Sequence, residues 1–92
     1  MIGLDSQPRH KSGLLSQEAS GSLVLFNVDQ GNYYALDEVG GRIWELCDGN
    51  RRVSEIVSII CGEYHEDSKR VQSDVLELLG DLAKEKLVDF GA

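Results

Sequence analysis

The pattern of apolar and polar positions over residues 11–36 is typical of β-strands. Residues 13–17 (GLLSQ) predict a first strand, and residues 23–28 (LVLFNV) predict a second. The second segment is apolar at successive positions, so we expect a central strand or one covered on both faces. Residues 33–36 (YYAL) form the return strand after a turn in which Gly31 supplies a left-handed position. The prediction is a three-stranded antiparallel meander whose third strand lies at one edge.

Three helices are predicted from residue 37 onwards, where the apolar spacing changes to that of a helix. Asp37 is a good N-cap for the first helix, and Gly49 is a suitable residue just beyond its end. Gly40 and Gly41 lie inside this helix, which predicts close packing of its start against the sheet. The second helix covers about residues 53–63, and the third runs from about 67 or 68 to 86.

The third helix has a wider apolar face than a surface helix needs. At ~100° per residue, Val71, Val75, Leu78 and Leu79 begin an apolar arc of about 180°, whereas ~100° is enough to cover a core. Part of this arc is therefore available for a second surface. The alternative, that the whole arc fills a two-sided core, is equally compatible with the residues.

The order of these elements predicts an α+β domain. A three-stranded antiparallel β-meander followed by three α-helices forms a winged-helix-like arrangement. Residues 11–90 are expected to make up one domain. Residues 1–10 are polar, contain the only proline and show no periodicity, so we expect a mobile N-terminal tail.

Composition narrows the classes of partner. The 92 residues carry a net charge of −7, which disfavours phosphate backbones and therefore nucleic acids. No apolar run approaches the ~18 residues of a membrane-spanning helix, and the first residues lack the apolar segment of a secretory signal. We therefore expect a cytoplasmic protein without a membrane partner. Cys47 and Cys61 lie in apolar helical patterns and are expected to be buried reduced thiols.

Catalytic and nucleic-acid functions find little support in the motifs. The chain has no phosphate-binding loop, no nucleophile motif and no zinc-ligand spacing, so we expect no catalytic residue, no metal and no cofactor. A winged-helix nucleic-acid-binding regulator is the alternative function. Its recognition helix should be basic, but the positive and negative charges of the third helix cancel. A regulatory domain that binds a folded partner is a third reading.

A peptide-binding edge fits the residues better. Edge strands are normally protected by lysine, proline or a bulge, and residues 32–36 (NYYAL) contain neither of those residue types. A peptide strand could add to this edge, with apolar anchors on the third helix. Alternation places Tyr33 and Tyr34 on opposite faces, so we expect one in the core and the other beside the groove. An open edge also allows self-pairing into a homodimer.

Several segments together resemble the PqqD-like family over about residues 12–88. These segments are the strand G-x-Y-Y-x-L, the helix V-G-x-R-I-W-E-L, an acidic residue followed by glycine, the helix V-x-E-I-V, and D-V-L-x-x-L-x-x-L in the third helix. The resemblance implies a RiPP recognition element, a non-catalytic chaperone that binds the leader segment of a ribosomally made precursor peptide. The L-D-E-V-G-G text is most similar to stand-alone members from lasso-peptide biosynthesis.

The resemblance also implies the binding residues and the partners. The leader would add to the third strand and lie in a groove against the third helix. Independently of the resemblance, the positions of Asp74 and Glu77 on that helix suit pairing with basic leader residues. The receiving enzyme would be a leader protease or a radical SAM enzyme. The peptide-binding residues expected on this basis are Asn32, Tyr33, Tyr34, Ala35, Leu36, Val71, Asp74, Val75, Leu78 and Leu79.

Overall fold

A computed structural model describes residues 2–91 and contains five strands and three helices in that range. In chain order they are β1 (Gln7–His10), β2 (Leu14–Ala19), β3 (Ser22–Asn27), β4 (Asn32–Leu36), α1 (Glu38–Leu46), α2 (Val53–Tyr64), α3 (Ser68–Lys84) and β5 (Val88–Gly91). The predicted α+β class, with a meander followed by three helices, is confirmed. No helix within residues 2–91 is long and apolar enough to cross a membrane.

The antiparallel meander has the strand order β2-β3-β4, so β3 is the central strand, as predicted. Leu25 of β3 is fully buried and lies opposite Tyr34 of β4. The turn between these strands places Gly31 at φ +72°, a left-handed conformation that glycine adopts without a steric penalty. The turn chemistry and the apolar run therefore fix this hairpin locally.

Helix α1 begins directly after β4, at the predicted cap. The Asp37 carboxylate accepts a hydrogen bond of 2.7 Å from the backbone N–H of Gly40. A Cβ atom on Gly40 would lie 3.1 Å from Asp37 Oδ1 and 3.3 Å from Leu36 Cδ2, so close packing is confirmed there. At Gly41 the nearest atom, Leu23 Cβ, would be 3.6 Å away, which is ordinary contact. Only the first of the two glycines is required by packing.

The hydrophobic core lies between the helix-facing side of the meander and the three helices. It is continuous and includes residues from every helix and from β3, β4 and β5. Among its most deeply buried side chains are Leu25, Cys47, Val53, Ile56, Ile60, Val75, Leu79, Leu82 and Leu87. The helices are thereby held at a fixed distance from the sheet.

The N-terminal segment is not a tail, and that prediction is wrong for the residues that form β1. This strand pairs antiparallel with β5, with Pro8 buried opposite Phe90. Further upstream, the carbonyl oxygens of Ser6 and Leu4 accept hydrogen bonds of 2.9 and 3.0 Å from the N–H groups of Val53 and Ser54. The segment thus satisfies the first free donors of α2. Met1 lies outside the described residues.

The predicted ends of two helices also need correction. Helix α1 ends at Leu46 with Cys47 as its cap, and Gly49 serves another purpose. Its N–H donates to Pro8 O at 2.9 Å, and a Cβ atom there would lie 3.2 Å from Arg9 Cβ. Gly49, at φ +83°, therefore allows β1 to approach closely.

Helix α3 ends at Lys84 and not at residue 86, because the chain reverses to enter β5. Lys86 takes a left-handed conformation with φ +60°, and the N–H of Leu87 donates back to Leu82 O at 2.8 Å. This six-to-one hydrogen bond is the Schellman pattern, in which glycine is the usual left-handed residue.

Candidate functional site

Strand β4 provides an open, uncharged edge. Within residues 2–91 it pairs only with β3, so its other side has no strand partner. Its sequence, Asn-Tyr-Tyr-Ala-Leu, contains no charged residue, whereas the opposite edge strand, β2, carries Glu18. Unprotected edges of this kind are sites where another strand can pair.

The two tyrosines of β4 point to opposite faces, and the register identifies each face. Tyr34 lies opposite Leu25, so it faces the helices, where it is half-buried and packs against the core. Tyr33 lies opposite Phe26 on the other face, and it is 72% exposed. Tyr34 is therefore the core-facing tyrosine. The expectation that the other tyrosine borders the groove is wrong, because Tyr33 lies on the far side of the sheet.

A groove of about 600 Å³ runs between the end of β4, the start of α1, the end of α2 and the face of α3. Its apolar lining comes from all four elements. The lining residues are Ala35, Leu36, Asp37, Val39, Gly40, Ile43, Ile60, Tyr64, Glu66, Arg70, Val71, Asp74, Val75 and Leu78. Because Ala35 and Leu36 belong to the open edge, a strand paired with β4 would lie along this groove.

The structure places most of the predicted α3 residues in the groove. Val71 and Val75 are buried and form its floor, Leu78 is half-buried in its wall, and Asp74 is exposed at its mouth. Leu79 is different, because it is fully buried and does not line the groove. Its assignment to the groove wall is therefore wrong, since it faces the core beneath.

The other end of β4 is fixed to the last turns of α3. The side-chain amide of Asn32 donates to Glu85 Oε2 at 3.1 Å. Burial raises the pKa of the Tyr34 hydroxyl, and the nearby carboxylates of Asp81 and Glu85 raise it further. The Asn32–Glu85 hydrogen bond thus ties the start of β4 to the end of α3.

Sequence reasoning missed the part of the groove contributed by α1, α2 and the loop before α3. Ile43 and Ile60 were visible only as members of helical apolar faces, a pattern that predicts core. The exposed charges at the mouth, Glu66 and Arg70, carry no distinguishing pattern in the sequence. Together the lining offers an apolar floor beneath a charged rim, which suits the alternating side chains of an extended peptide.

Comparison with known proteins agrees with this geometry. The family model "Coenzyme PQQ synthesis protein D (PqqD)" matches residues 22–88. The "PqqA binding protein" of Rhodopseudomonas palustris strain BisB5 is 39% identical over 49 residues, which are 53% of this chain and 48% of that protein. The protein of the same description from strain HaA2 is 37% identical over an equal length and with the same coverage. The chain spans about half the length of the curated relatives it matches.

Solved structures match over nearly the whole chain. TbiB1, solved in complex with the TbiA(beta) leader peptide, is 34% identical with a TM-score of 0.80, covering 91% of this chain and 98% of TbiB1. The PqqD part of Methylobacterium extorquens PqqCD, described as a stand-alone RiPP recognition element, has a TM-score of 0.80 at 24% identity and shares the fold, covering 97% of this chain and 95% of its own. The family model covers most of the chain and confirms the predicted resemblance. This chain belongs to the PqqD family.

Proposed function

We propose that this protein binds the leader segment of a ribosomally synthesised precursor peptide and delivers it to a modifying enzyme. The observation that carries the proposal is the open edge of β4 beside the apolar groove. The leader adds to β4 as a further strand, and every second side chain enters the groove. TbiB1, which is similar over most of its length, was solved with a leader peptide bound.

The free energy of binding requires both the edge and the groove. Four to six new backbone hydrogen bonds contribute roughly 1 kcal/mol net each, which only offsets the lower range of association costs, about 4–15 kcal/mol. Apolar side chains buried on Val71, Val75 and Leu78 must supply the remainder, at about 1.5–3 kcal/mol for each large residue. A leader without apolar residues at groove-facing positions should therefore bind poorly.

The rim of the groove sets a preference for charge. Three carboxylates, Asp37, Glu66 and Asp74, line the groove together with one guanidinium, that of Arg70. Asp37 is engaged by the helix cap, but Glu66 and Asp74 are exposed. A basic leader residue close to Asp74 fits this rim better than an acidic one.

The protein acts in this proposal as a non-catalytic chaperone. The receiving enzyme is a leader-cleaving protease of lasso-peptide biosynthesis, because the L-D-E-V-G-G segment is similar to stand-alone members from that pathway. The nucleic-acid alternative finds no support in the family or in the solved relatives.

Fluorescence polarisation tests the proposal with labelled peptides. The probes are the TbiA(beta) leader and synthetic leaders from the precursor gene next to this one, with a scrambled leader as the control. We expect one leader to bind with a Kd between roughly nanomolar and micromolar, and the scrambled peptide to bind much more weakly. If no leader binds more tightly than the scrambled peptide, the proposed function is wrong.

A further inference from the structure

The face of the meander that points away from the helices carries no formal charge. In a chain with 27% charged residues, such a face is unusual. The register gives its members as Leu15, Gln17, Ala19, Ser22, Val24, Phe26, Tyr33 and Ala35. Exposed apolar side chains grouped on one face can mark a contact site, and of this face only Ala35, at the open edge, also lines the groove on the helix side.

One row of large side chains crosses this face and ends at the open edge. Leu15 lies directly opposite Phe26, and Phe26 lies directly opposite Tyr33. Their exposed fractions are 61%, 37% and 72%, so Tyr33, on the β4 edge, is the most exposed of the three. Side chains directly opposite each other on neighbouring strands have Cβ atoms about 4.5–5.5 Å apart and stabilise the pairing. A strand that pairs with β4 would therefore place one side chain directly opposite Tyr33 and extend this row.

We propose that Tyr33 selects an apolar residue of the bound leader on the face opposite the groove, so that the leader is recognised on both of its faces. This inference rests on the proposed strand addition to β4. The leader residue opposite Tyr33 points away from the groove, while its two chain neighbours point towards it. An aliphatic or aromatic residue there continues the row from Leu15 to Tyr33.

The neighbouring outward position on β4 sets a second, weaker preference. Ala35 is the other outward-facing residue of β4, two positions along the same face. Its small side chain leaves the surface beside Tyr33 open, so a large leader residue has room to lie across both positions. A charged leader residue opposite Tyr33 would meet no opposite charge on this face. The predicted leader therefore has groove-facing apolar residues on either side of one outward apolar residue.

A double-mutant cycle between Tyr33 and the leader tests this inference. Tyr33→Ala should raise the Kd of the leader by about two- to fivefold, as expected for the loss of one cross-strand pair. Tyr33→Phe, which keeps the ring, should bind within about twofold of the wild type. Phe26→Ala is the matched control, because it shortens the same row one strand away from the leader. It should also bind within about twofold.

An alanine scan of the leader then locates the contact. At one outward-facing leader position, substitution by alanine should raise the Kd for the wild type but hardly raise it further for the Tyr33→Ala variant. At the other leader positions, alanine should raise the Kd by the same factor for both proteins. If Tyr33→Ala binds the leader as the wild type does, or couples to no leader position, the inference is overturned. If Tyr33→Ala leaves the leader affinity unchanged but slows leader cleavage by the partner protease, the row from Leu15 to Tyr33 contacts the protease and not the leader. The proposed function itself fails only if the wild-type protein binds no leader.

Discussion

Leu78→Asp perturbs the groove without removing a fully buried core residue. Full burial of a leucine contributes about 1.5–3 kcal/mol. Because Leu78 is half-buried, the peptide can cover only the remaining part, about 1 kcal/mol. The new carboxylate would also be desolvated beneath the peptide, which costs more than the about 1–3 kcal/mol of a neutral polar group. We therefore expect leader binding to weaken by at least about 2–4 kcal/mol, roughly 30- to 700-fold or more in Kd.

Fluorescence polarisation with the best-binding leader measures this change, and circular dichroism confirms that the variant is folded. Ser73→Asp is the matched control, since it adds the same charge to an exposed position of α3 outside the groove lining. Its Kd should stay within about threefold of the wild-type value. A folded Leu78→Asp protein with an equally small change would refute the assignment of the groove.

The remaining predictions concern stability and reactivity. Leu79→Asp should unfold the domain and not merely weaken binding, because the side chain is fully buried and even Leu→Ala costs about 2–5 kcal/mol; a native circular dichroism spectrum would contradict this. Burial, with a smaller contribution from Asp48, raises the pKa of the Cys47 thiol to about 12, so at pH 8 mass spectrometry should find iodoacetamide on half-buried Cys61 before Cys47. Lys86→Gly should raise the free energy of unfolding by about 0.5–1 kcal/mol in urea titrations, because the left-handed backbone costs a non-glycine residue about 1–2 kcal/mol and the entropy that glycine loses on folding offsets about 0.5–1 kcal/mol of that gain; a loss of stability would show that the lysine is preferred.

The parts of the fold that could be predicted from sequence are those fixed by local chemistry. The apolar run in β3, the left-handed glycine of the turn and the aspartate cap each act within a few residues. The pair β1 and β5 could not be predicted, because each strand is short and its partner lies about eighty positions away. Gly49 was misinterpreted for the same reason, since it accommodates β1 and does not cap the helix before it.

The sequence predicts which faces of α3 and β4 carry the candidate site, but not which individual side chains line the groove. Helical periodicity places Val75, Leu78 and Leu79 on one apolar arc, and only packing decides that Leu79 lies under the core while Leu78 lines the groove. Strand alternation places Tyr33 and Tyr34 on opposite faces of the sheet but does not say which of them faces the helices. That depends on Leu25, the buried residue opposite Tyr34, which lies on another strand. The register supplies that direction.

The pairing of the leader with β4 can be measured directly by nuclear magnetic resonance on the labelled complex. We expect interstrand nuclear Overhauser effects between the leader backbone and residues 32–36, together with protection of the β4 amides that point to the open edge. Contacts of the leader with β2, or a bound leader with no backbone contact to residues 32–36, would contradict strand addition at β4.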